Sequence, residues 1–452
     1  MAAILGHAHL GKVAEFGCLA TMIGKYAKDS RRQFGHTPAM TAATANSTPP
    51  PGATPIARHG WSRPVMLLLN IAHAIDHMFL LIFAAAVAAI ASTFGFSKWE
   101  DLMPYSVGAF FLFGVGALPS GRLGDLWGRR VMMLVFFFGI GAAALLTALT
   151  QNAWQLAAAL TLIGAFASIY HPVGIPMLVQ HAHNPGATIG VNGLAGNLGV
   201  SVAALATGFL VKWIGWRAAF AIPGALSLAC GIAFAIACPR ESEAPAKRKG
   251  KAQVALSPAL LARAFLVMTA AAITGSLLFN FSTNGNAQLL TERFRGVVED
   301  PALLGALLAV VYAVASLAQV VVGRMIDRVA LKPLYFGITL TQIPLLLLAA
   351  HAQGWWMFAA LVAVMIFIFG AIPFTDAMIV RYVDDRLRSR VAGMRLGVSF
   401  GISSLAVYLL GPFVKGMGFD SLLITMAVIA ACTALVVTFL PSEPGAPAAV
   451  PA

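Results

Sequence analysis

The chain has 452 residues, of which 59% are hydrophobic and only 10% are charged, and its mean hydropathy is +0.82. This composition excludes a water-soluble globule and indicates an all-α integral membrane protein whose solvent is the lipid bilayer. The net charge of +13 does not indicate a nucleic-acid partner, because the basic residues form short clusters between apolar runs. The four cysteines show neither a zinc pattern nor a disulfide pattern.

The N-terminal residues 1–64 differ from the rest of the chain. The stretch 41–55 is rich in Pro, Ala and Thr, so this segment is predicted to be a disordered tail. Met40 could be the true start of the protein, and a targeting peptide is the alternative interpretation of the residues before it. We assign the tail no function.

The apolar runs that follow predict twelve transmembrane helices. They cover residues 65–93, 104–121, 131–150, 154–180, 187–212, 218–238, 259–284, 302–323, 333–351, 355–380, 392–413 and 420–440. The hydrophilic linker 239–258 separates a first half, 65–238, from a second half, 259–440, and residues 441–452 form a C-terminal tail. Both termini are predicted to be cytoplasmic, because the outer loops then hold only six of the 30 Lys and Arg residues. These six are Lys98, Lys212, Arg217, Arg293, Arg295 and Lys415.

Two segments of the first half recur in the second. One follows the second span as residues 121–125 and the eighth span as residues 323–327. The other lies between the fifth and sixth spans of each half, where Gly208, Val211, Lys212 and Gly215 recur as Gly411, Val414, Lys415 and Gly418. Internal repeats of this kind are typical of alternating-access transporters, in which two similar halves rock about a site at the midplane.

Residues 121–130 read Gly-Arg-Leu-Gly-Asp-Leu-Trp-Gly-Arg-Arg. This segment resembles the signature loop of the major facilitator superfamily, G-x-L-[AG]-D-[RK]-x-G-[RK]-[RK], with a departure at Leu126. The resemblance implies the major facilitator fold, twelve transmembrane helices in two pseudo-symmetric six-helix halves, and a loop that latches the two halves on the cytoplasmic side. The residues expected to form this conformational latch are Gly121, Gly124, Asp125, Gly128, Arg129, Arg130 and, in the repeat, Asp327.

Shorter motifs resemble the fosmidomycin-resistance branch of that superfamily. Residues 170–172 read Tyr-His-Pro on the fourth span, residues 190–199 form a glycine- and Asn-rich fifth span, and residues 215–217 read Gly-Trp-Arg. The first-span segment of the branch corresponds to residues 73–77, His-Ala-Ile-Asp-His, with the acidic position shifted. This resemblance implies export of a small organic compound or drug.

Polar residues inside the spans indicate where the mechanism lies, because a charge within the bilayer is costly and usually faces a cavity. Two carboxylates qualify: Asp76 near the middle of the first span, and Asp376 toward the cytoplasmic half of the tenth. Helical spacing places Asn70, His73 and His77 in one polar stripe with Asp76.

In the superfamily fold the first, fourth, seventh and tenth spans line the central cavity, so the resemblance implies that their polar residues converge. An Asp beside a His is a plausible proton relay. The candidates for proton coupling are therefore Asp76, His73, His77, His171 and Asp376. The candidates for substrate contact are Asn70, Asn280 and Asn284.

Structural roles are the alternative for each of these residues. His171 could satisfy a carbonyl freed by the kink at Pro172. Asp76 could form a structural salt bridge, and Asp376 could belong to a cytoplasmic charge cluster. The amides could simply join helices.

A metal site is a further alternative for the first span, since His73 and His77 at i and i+4 share a helix face. That spacing alone is weak, and no cysteine or second acidic cluster completes a ligand set. No metal and no cofactor are therefore expected.

The function that the sequence predicts is a secondary active transporter that moves a small organic solute across the bacterial inner membrane by proton-coupled efflux. Its expected partners are that solute, protons and the lipid bilayer. A proton-coupled importer of a small metabolite or organic acid is the alternative, and a non-transporting sensor is a remote one. The sequence contains no nucleotide-binding loop, zinc-protease helix or nucleophile elbow, so an integral membrane enzyme is not expected.

Overall fold

The computed structural model describes residues 62–180, 182, 185–240, 258–326, 328–382 and 385–441. All of them belong to the unit Arg58–Ala452, whereas the unit Met1–Ala57 lies outside them. The predicted tails and most of the predicted linker therefore lie outside the described residues, and so does Asp327.

The described chain is helical throughout and contains no strand. Its helices are α1 (Arg63–Thr93), α2 (Val107–Val115), α3 (Ala117–Trp127), α4 (Arg129–Ala148), α5 (Ala153–Ala167), α6 (Ile175–Val179), α7 (Pro185–Trp213), α8 (Trp216–Ala237), α9 (Pro258–Arg293), α10 (Pro301–Ile326), α11 (Leu331–His351), α12 (Gly354–Tyr382) and α13 (Asp385–Thr438). Short 3-10 turns, Trp99–Asp101 and Met103–Ser106, precede α2, and a π turn, Tyr170–Gly174, joins α5 to α6.

Twelve membrane spans follow from these helices. Ten stretches of the described chain are long and apolar enough to cross a membrane, and α2 with α3 forms an eleventh span that is bent by 45°. Gly418, with φ of 77°, breaks α13 into two helices, which brings the number to twelve. The predicted all-α membrane fold is confirmed.

The helices are long because lipid leaves no alternative partner for the backbone. Helix α1 has 31 residues and is therefore roughly 46 Å long, more than the hydrocarbon thickness of a bilayer. Its outer surface and those of its neighbours are apolar: Ile236 is 82% exposed and Leu266 is 72% exposed. Large exposed apolar side chains of this kind are expected on a surface that faces lipid.

Helix α9 departs most from the predicted boundaries, because it continues to Arg293 where the sequence predicts a span ending at 284. The additional helical turns carry polar residues, whose pattern predicts a loop. In the structure Asn284, Asn286 and Gln288 are buried among neighbouring helices, so their polarity does not end the helix.

The two halves pack against each other along two helix pairs, α7 with α10 and α13 with α2. A hydrogen bond crosses the first pair, from Ser201 Oγ to the carbonyl of Ala309 at 2.8 Å. Within the first half, α7 also packs closely on α1: a Cβ atom at Gly199 would lie only 2.1 Å from the carbonyl of Ala74. This contact brings the polar stripe of α1 against the glycine-rich face of α7.

Candidate functional site

The candidate site lies where α1, the π turn and α7 meet. Helix α1 supplies His73, Asp76 and His77, and the π turn supplies His171. Pro172 lacks an N–H group, so the backbone around it cannot continue the regular hydrogen-bond ladder, and the local widening into a π turn accommodates it. Single π turns are common at functional sites.

Asp76 is the charged centre of this site. Its side chain is fully buried, and among the described residues neither carboxylate oxygen accepts a hydrogen bond. The nearest ionisable partner is His171, whose Nε2 lies 3.5 Å from Asp76 Oδ2. That separation is longer than a normal hydrogen bond, so a small displacement of either side chain would make or break the bond.

His73 is held in a defined orientation beside this pair. Its Nδ1–H donates to the carbonyl of Asn192 at 2.7 Å, and its ring stacks on Tyr170 with centroids 4.7 Å apart. The tautomer follows from the acceptor, since a carbonyl can only accept. The other ring nitrogen, Nε2, is buried and has no hydrogen-bond partner in the described part of the chain. It lies against Gly196, where a Cβ atom would come within 2.7 Å.

Hydrogen bonds among Asn192, Tyr170 and α1 fix the three elements to one another. Asn192 Nδ2 donates to the Tyr170 hydroxyl at 2.7 Å and to Asn70 Oδ1 at 3.0 Å. The Tyr170 hydroxyl in turn donates to the carbonyl of Leu69 at 3.0 Å. Asn70 thus belongs to this network between α1 and α7, and its contact with substrate stays a prediction.

Loss of the Tyr170 hydroxyl is expected to lower stability measurably. Tyr170→Phe removes one bond to α1 and one to α7, and hydrogen bonds between membrane helices contribute about 0.6 kcal/mol on average. We expect the free energy of unfolding to fall by about 1–2 kcal/mol, since an amide N–H of Asn192 also loses a buried partner. Thermal unfolding in detergent measures this loss. The exposed Tyr408→Phe is the matched control, and equal melting temperatures for both variants would contradict the network.

Three imidazoles cluster at the site, and one of them, His171, faces the carboxylate. One ring nitrogen from each of His73, His77 and His171 lies within 4.8 Å of the others, and His77 meets His73 edge to face. This is the one group among the described residues whose spacing would suit a metal ion. The same spacing suits a proton shared between imidazoles and a carboxylate. The expectation of no metal stays a prediction.

The structure does not bring the second-half amides to the histidines. Asn280 Nδ2 donates to Ser403 Oγ at 2.7 Å, which joins α9 to α13, and Asn284 Nδ2 donates to the carbonyl of Asn280 within α9. Both are buried. Their contacts are those of helix packing, the alternative that the sequence left open. The side chain of Asp376 lies outside the described residues.

The signature loop contacts the π turn that carries His171. A Cβ atom at Gly124 would lie 2.8 Å from Val173, and one at Gly121 would lie 3.3 Å from Pro172. Arg129 donates to the carbonyl of Pro176 at 3.1 Å, beyond the same turn.

Other residues of the signature loop shape the connection between α3 and α4 and anchor it to α8. Gly128 has φ of 94°, a left-handed conformation that favours glycine. Arg130 donates to the carbonyls of Ala235 and Cys238 at the end of α8. Asp125 is exposed. The loop therefore ties together the ends of three helices in the first half.

The sequence did not predict three further residues whose contacts join helices in the structure. Tyr170 and Asn192 lie inside motifs that the sequence singles out, but their roles depend on how three helices pack. Arg395 is a charge within the predicted eleventh span and donates to Thr375 Oγ1 on α12. It stands at the position of Asn192 in the internal repeat, an offset of 203 that could have drawn attention to it.

Ionisable side chains buried inside a helical membrane bundle, such as this carboxylate and imidazole cluster, usually mark a pathway for a solute or an ion. The sequence profile of the Major Facilitator Superfamily matches residues 67–298 and 298–452. The chain therefore belongs to the Major Facilitator Superfamily.

The similar proteins with curated names include a probable transporter and multidrug resistance proteins. A probable actinorhodin transporter from Streptomyces coelicolor is 29% identical over 205 residues, 44% of this chain and 34% of that protein. The multidrug resistance protein MdtG of Escherichia fergusonii is 24% identical over 62% of this chain and 70% of its own length. The MdtG protein of an Escherichia coli strain is 26% identical over 54% of this chain and 60% of its own length. The chain thus matches about a third of the first relative and 60–70% of the MdtG proteins.

A solved structure has the same fold. The crystal structure of a bacterial homologue of the human lysosomal transporter Spinster aligns with a TM-score of 0.63 over 84% of this chain and 95% of that chain. The sequences are 16% identical, so this likeness concerns the fold alone.

Proposed function

We propose that this transporter exports a small organic solute from the bacterial cytoplasm across the inner membrane in exchange for protons. The observation that carries the proposal is the buried Asp76 carboxylate, which faces His171 at 3.5 Å without a hydrogen bond. Efflux is supported by the relatives, two of which are named as multidrug resistance proteins. The signature loop end of the bundle is cytoplasmic in this proposal, because that orientation satisfies the positive-inside rule.

Proton binding would act on this site through its net charge. An unneutralised charge inside the bilayer costs at least about 2.5 kcal/mol, so the carboxylate needs either a proton, a protonated imidazole or water beside it. A proton taken up by the Asp76 and His171 pair removes this cost and permits the site to be sealed on both sides. Loss of the proton at the other face restores the charge and favours an open, hydrated site.

The contact between the π turn and the signature loop could couple protonation of the site to a conformational change in the rest of the molecule. His171 and Pro172 are adjacent, and Pro172 packs so close to α3 that a Cβ atom at Gly121 would lie 3.3 Å from it. A shift of His171 toward or away from Asp76 would therefore move the backbone against which the signature loop packs. In this proposal the loop responds to the state of the site.

Inside-out membrane vesicles test both the coupling and the direction. Vesicles that contain the transporter are energised to acidify their interior, and a panel of drugs, phosphonates and organic acids is added while a pH-sensitive dye reports the gradient. Export by proton exchange predicts that a substrate dissipates the gradient in these vesicles and not in vesicles without the protein. A substrate that crosses without releasing protons would contradict the coupling. A chelator added in parallel tests whether a metal is required.

A further inference from the structure

The repeat between the fifth and sixth spans of each half has no part in the proton site. Its lysines, Lys212 and Lys415, lie at the end of the bundle opposite the signature loop. In the proposed orientation this is the outer face, where Lys and Arg are scarce. Two lysines at equivalent positions of the two halves therefore call for a specific role.

Each lysine reaches across to the other half of the molecule. Lys212, at the end of α7 in the first half, donates to Asp300 in the loop before α10 of the second half. Lys415, in α13 of the second half, donates to Asp101 in the loop after α1 of the first half. The two ion pairs are thus related by the same pseudo-symmetry as the sequence repeat.

The aspartates are positioned for these contacts. Asp300 caps α10, because its Oδ1 accepts from the backbone N–H groups of Ala302 at 2.9 Å and Leu303 at 3.2 Å. The hydrogen bond from Lys212 and these backbone bonds lower the pKa of the Asp300 carboxyl. The Asp300 carboxylate is therefore charged at neutral pH.

The repeated glycines allow the halves to approach at the same two places. A Cβ atom at Gly208, one turn before Lys212, would lie 2.6 Å from the carbonyl of Pro301. A Cβ atom at Gly411, one turn before Lys415, would lie 2.2 Å from the carbonyl of Glu100. Each of these carbonyls belongs to the residue next to the aspartate of the corresponding ion pair. The backbones of the two halves are therefore in close contact next to each of the two ion pairs.

The bundle is closed beneath these contacts. The cavity between the halves at this level has a volume of about 10 Å³ and is lined by residues of four helices, among them Leu81, Ala85, Val200, Thr283 and Tyr312. A space of this size holds at most about one water molecule and is too small for an organic solute.

We propose that the two crossed pairs, Lys212 with Asp300 and Lys415 with Asp101, form an outer latch that stabilises the state closed at this face. The inference rests on the proposed function for the assignment of this face as outer, and the latch must open whenever the solute leaves there. Contacts made in only one state shift the equilibrium toward that state. Exposed ion pairs are weak, so each pair is expected to shift it by about 1.4- to fivefold.

Accessibility of the closed cavity measures the latch directly. The test uses Ala85→Cys in a chain whose native cysteines, Cys18, Cys230, Cys238 and Cys432, are replaced by serine. A membrane-impermeant maleimide is added from the latch side to the full-length protein in liposomes, without solute and without a proton gradient. Lys212→Gln with Lys415→Gln is expected to raise the labelling rate by about 2- to 25-fold. The matched control is Lys98→Gln, a lysine of the same face that forms no ion pair among the described residues.

Charge exchange separates the latch from a general loss of structure. Lys415→Asp alone is expected to speed labelling, because it places a second carboxylate beside Asp101, and adding Asp101→Lys is expected to restore protection. Equal labelling rates in the parent and the double Gln variant, or a charge exchange that gives no rescue, would overturn the proposal. Because no transport is measured, failure of the proposed proton exchange leaves this result readable on its own.

Discussion

Asp76→Asn is expected to abolish transport driven by a pH gradient while leaving exchange of solute between the two faces intact. Asparagine has nearly the shape of a protonated aspartate, so the substitution removes the charge without opening a cavity at this fully buried position. The proposed cycle depends on a charged and a neutral form of the site, which differ by at least about 2.5 kcal/mol in the bilayer. A fixed neutral form should therefore reduce net coupled transport by roughly 60-fold or more.

Two assays on the same proteoliposomes separate these activities. Gradient-driven uptake is measured with an imposed pH difference, and exchange is measured with equal pH and labelled solute on one side. Asp420→Asn is the matched control, since it also neutralises a carboxylate but one that is 57% exposed and paired with Arg293 near the end of the bundle. Full coupled transport in the Asp76→Asn variant would remove Asp76 from the proton path.

The polar stripe of α1 could be predicted from the sequence because it depends only on helical spacing. Asp76 and His73 are three residues apart, and His77 completes the same face. His171 could be added from a short motif on another span. The structure brings these four residues together, although their role in coupling is untested.

The partners of this stripe could not be predicted in the same way. The bond from His73 to the carbonyl of Asn192 joins residues 119 positions apart and depends on the register of α7 against α1. Spacing within one helix carries no information on that register. The contacts of Asn280 could not be predicted for a related reason, because a buried amide can join helices as readily as it can line a cavity. Its bond to Ser403 joins α9 to α13, and its contact with substrate stays a prediction.

The predicted ends of the spans were inaccurate for a different reason, because they rest on local composition and not on the packing of helices. The polar run after residue 284 predicts a loop, yet α9 continues to Arg293 because neighbouring helices bury its amides. The repeat that contains Lys212 was visible in the sequence as a symmetry. Its contact with Asp300 became apparent only in the packed halves.

Gly196→Ala is expected to reduce transport about tenfold or more while leaving the fold intact. The added methyl group would lie 2.7 Å from both Cε1 and Nε2 of His73, closer than real Cβ contacts permit. The imidazole can move away only by leaving its bond to the carbonyl of Asn192 and its stack on Tyr170. Displacements of about 1 Å in a functional group commonly cost on the order of 100-fold in rate, so a tenfold loss is a conservative expectation.

Stability should change little, because alanine is favoured over glycine in a helix by about 1 kcal/mol and the clash is with the end of a side chain. The matched control is Gly193→Ala on the same helix, where the nearest atom to the new Cβ is Gln319 Oε1 at 3.6 Å, an ordinary contact. Solute transport and thermal unfolding are measured for both variants. If His73 is the target, Gly196→Ala adds nothing further in a His73→Ala background, because the methyl group then has no imidazole to displace. Additive losses would place the effect of Gly196 elsewhere, in the packing of α7 against α1.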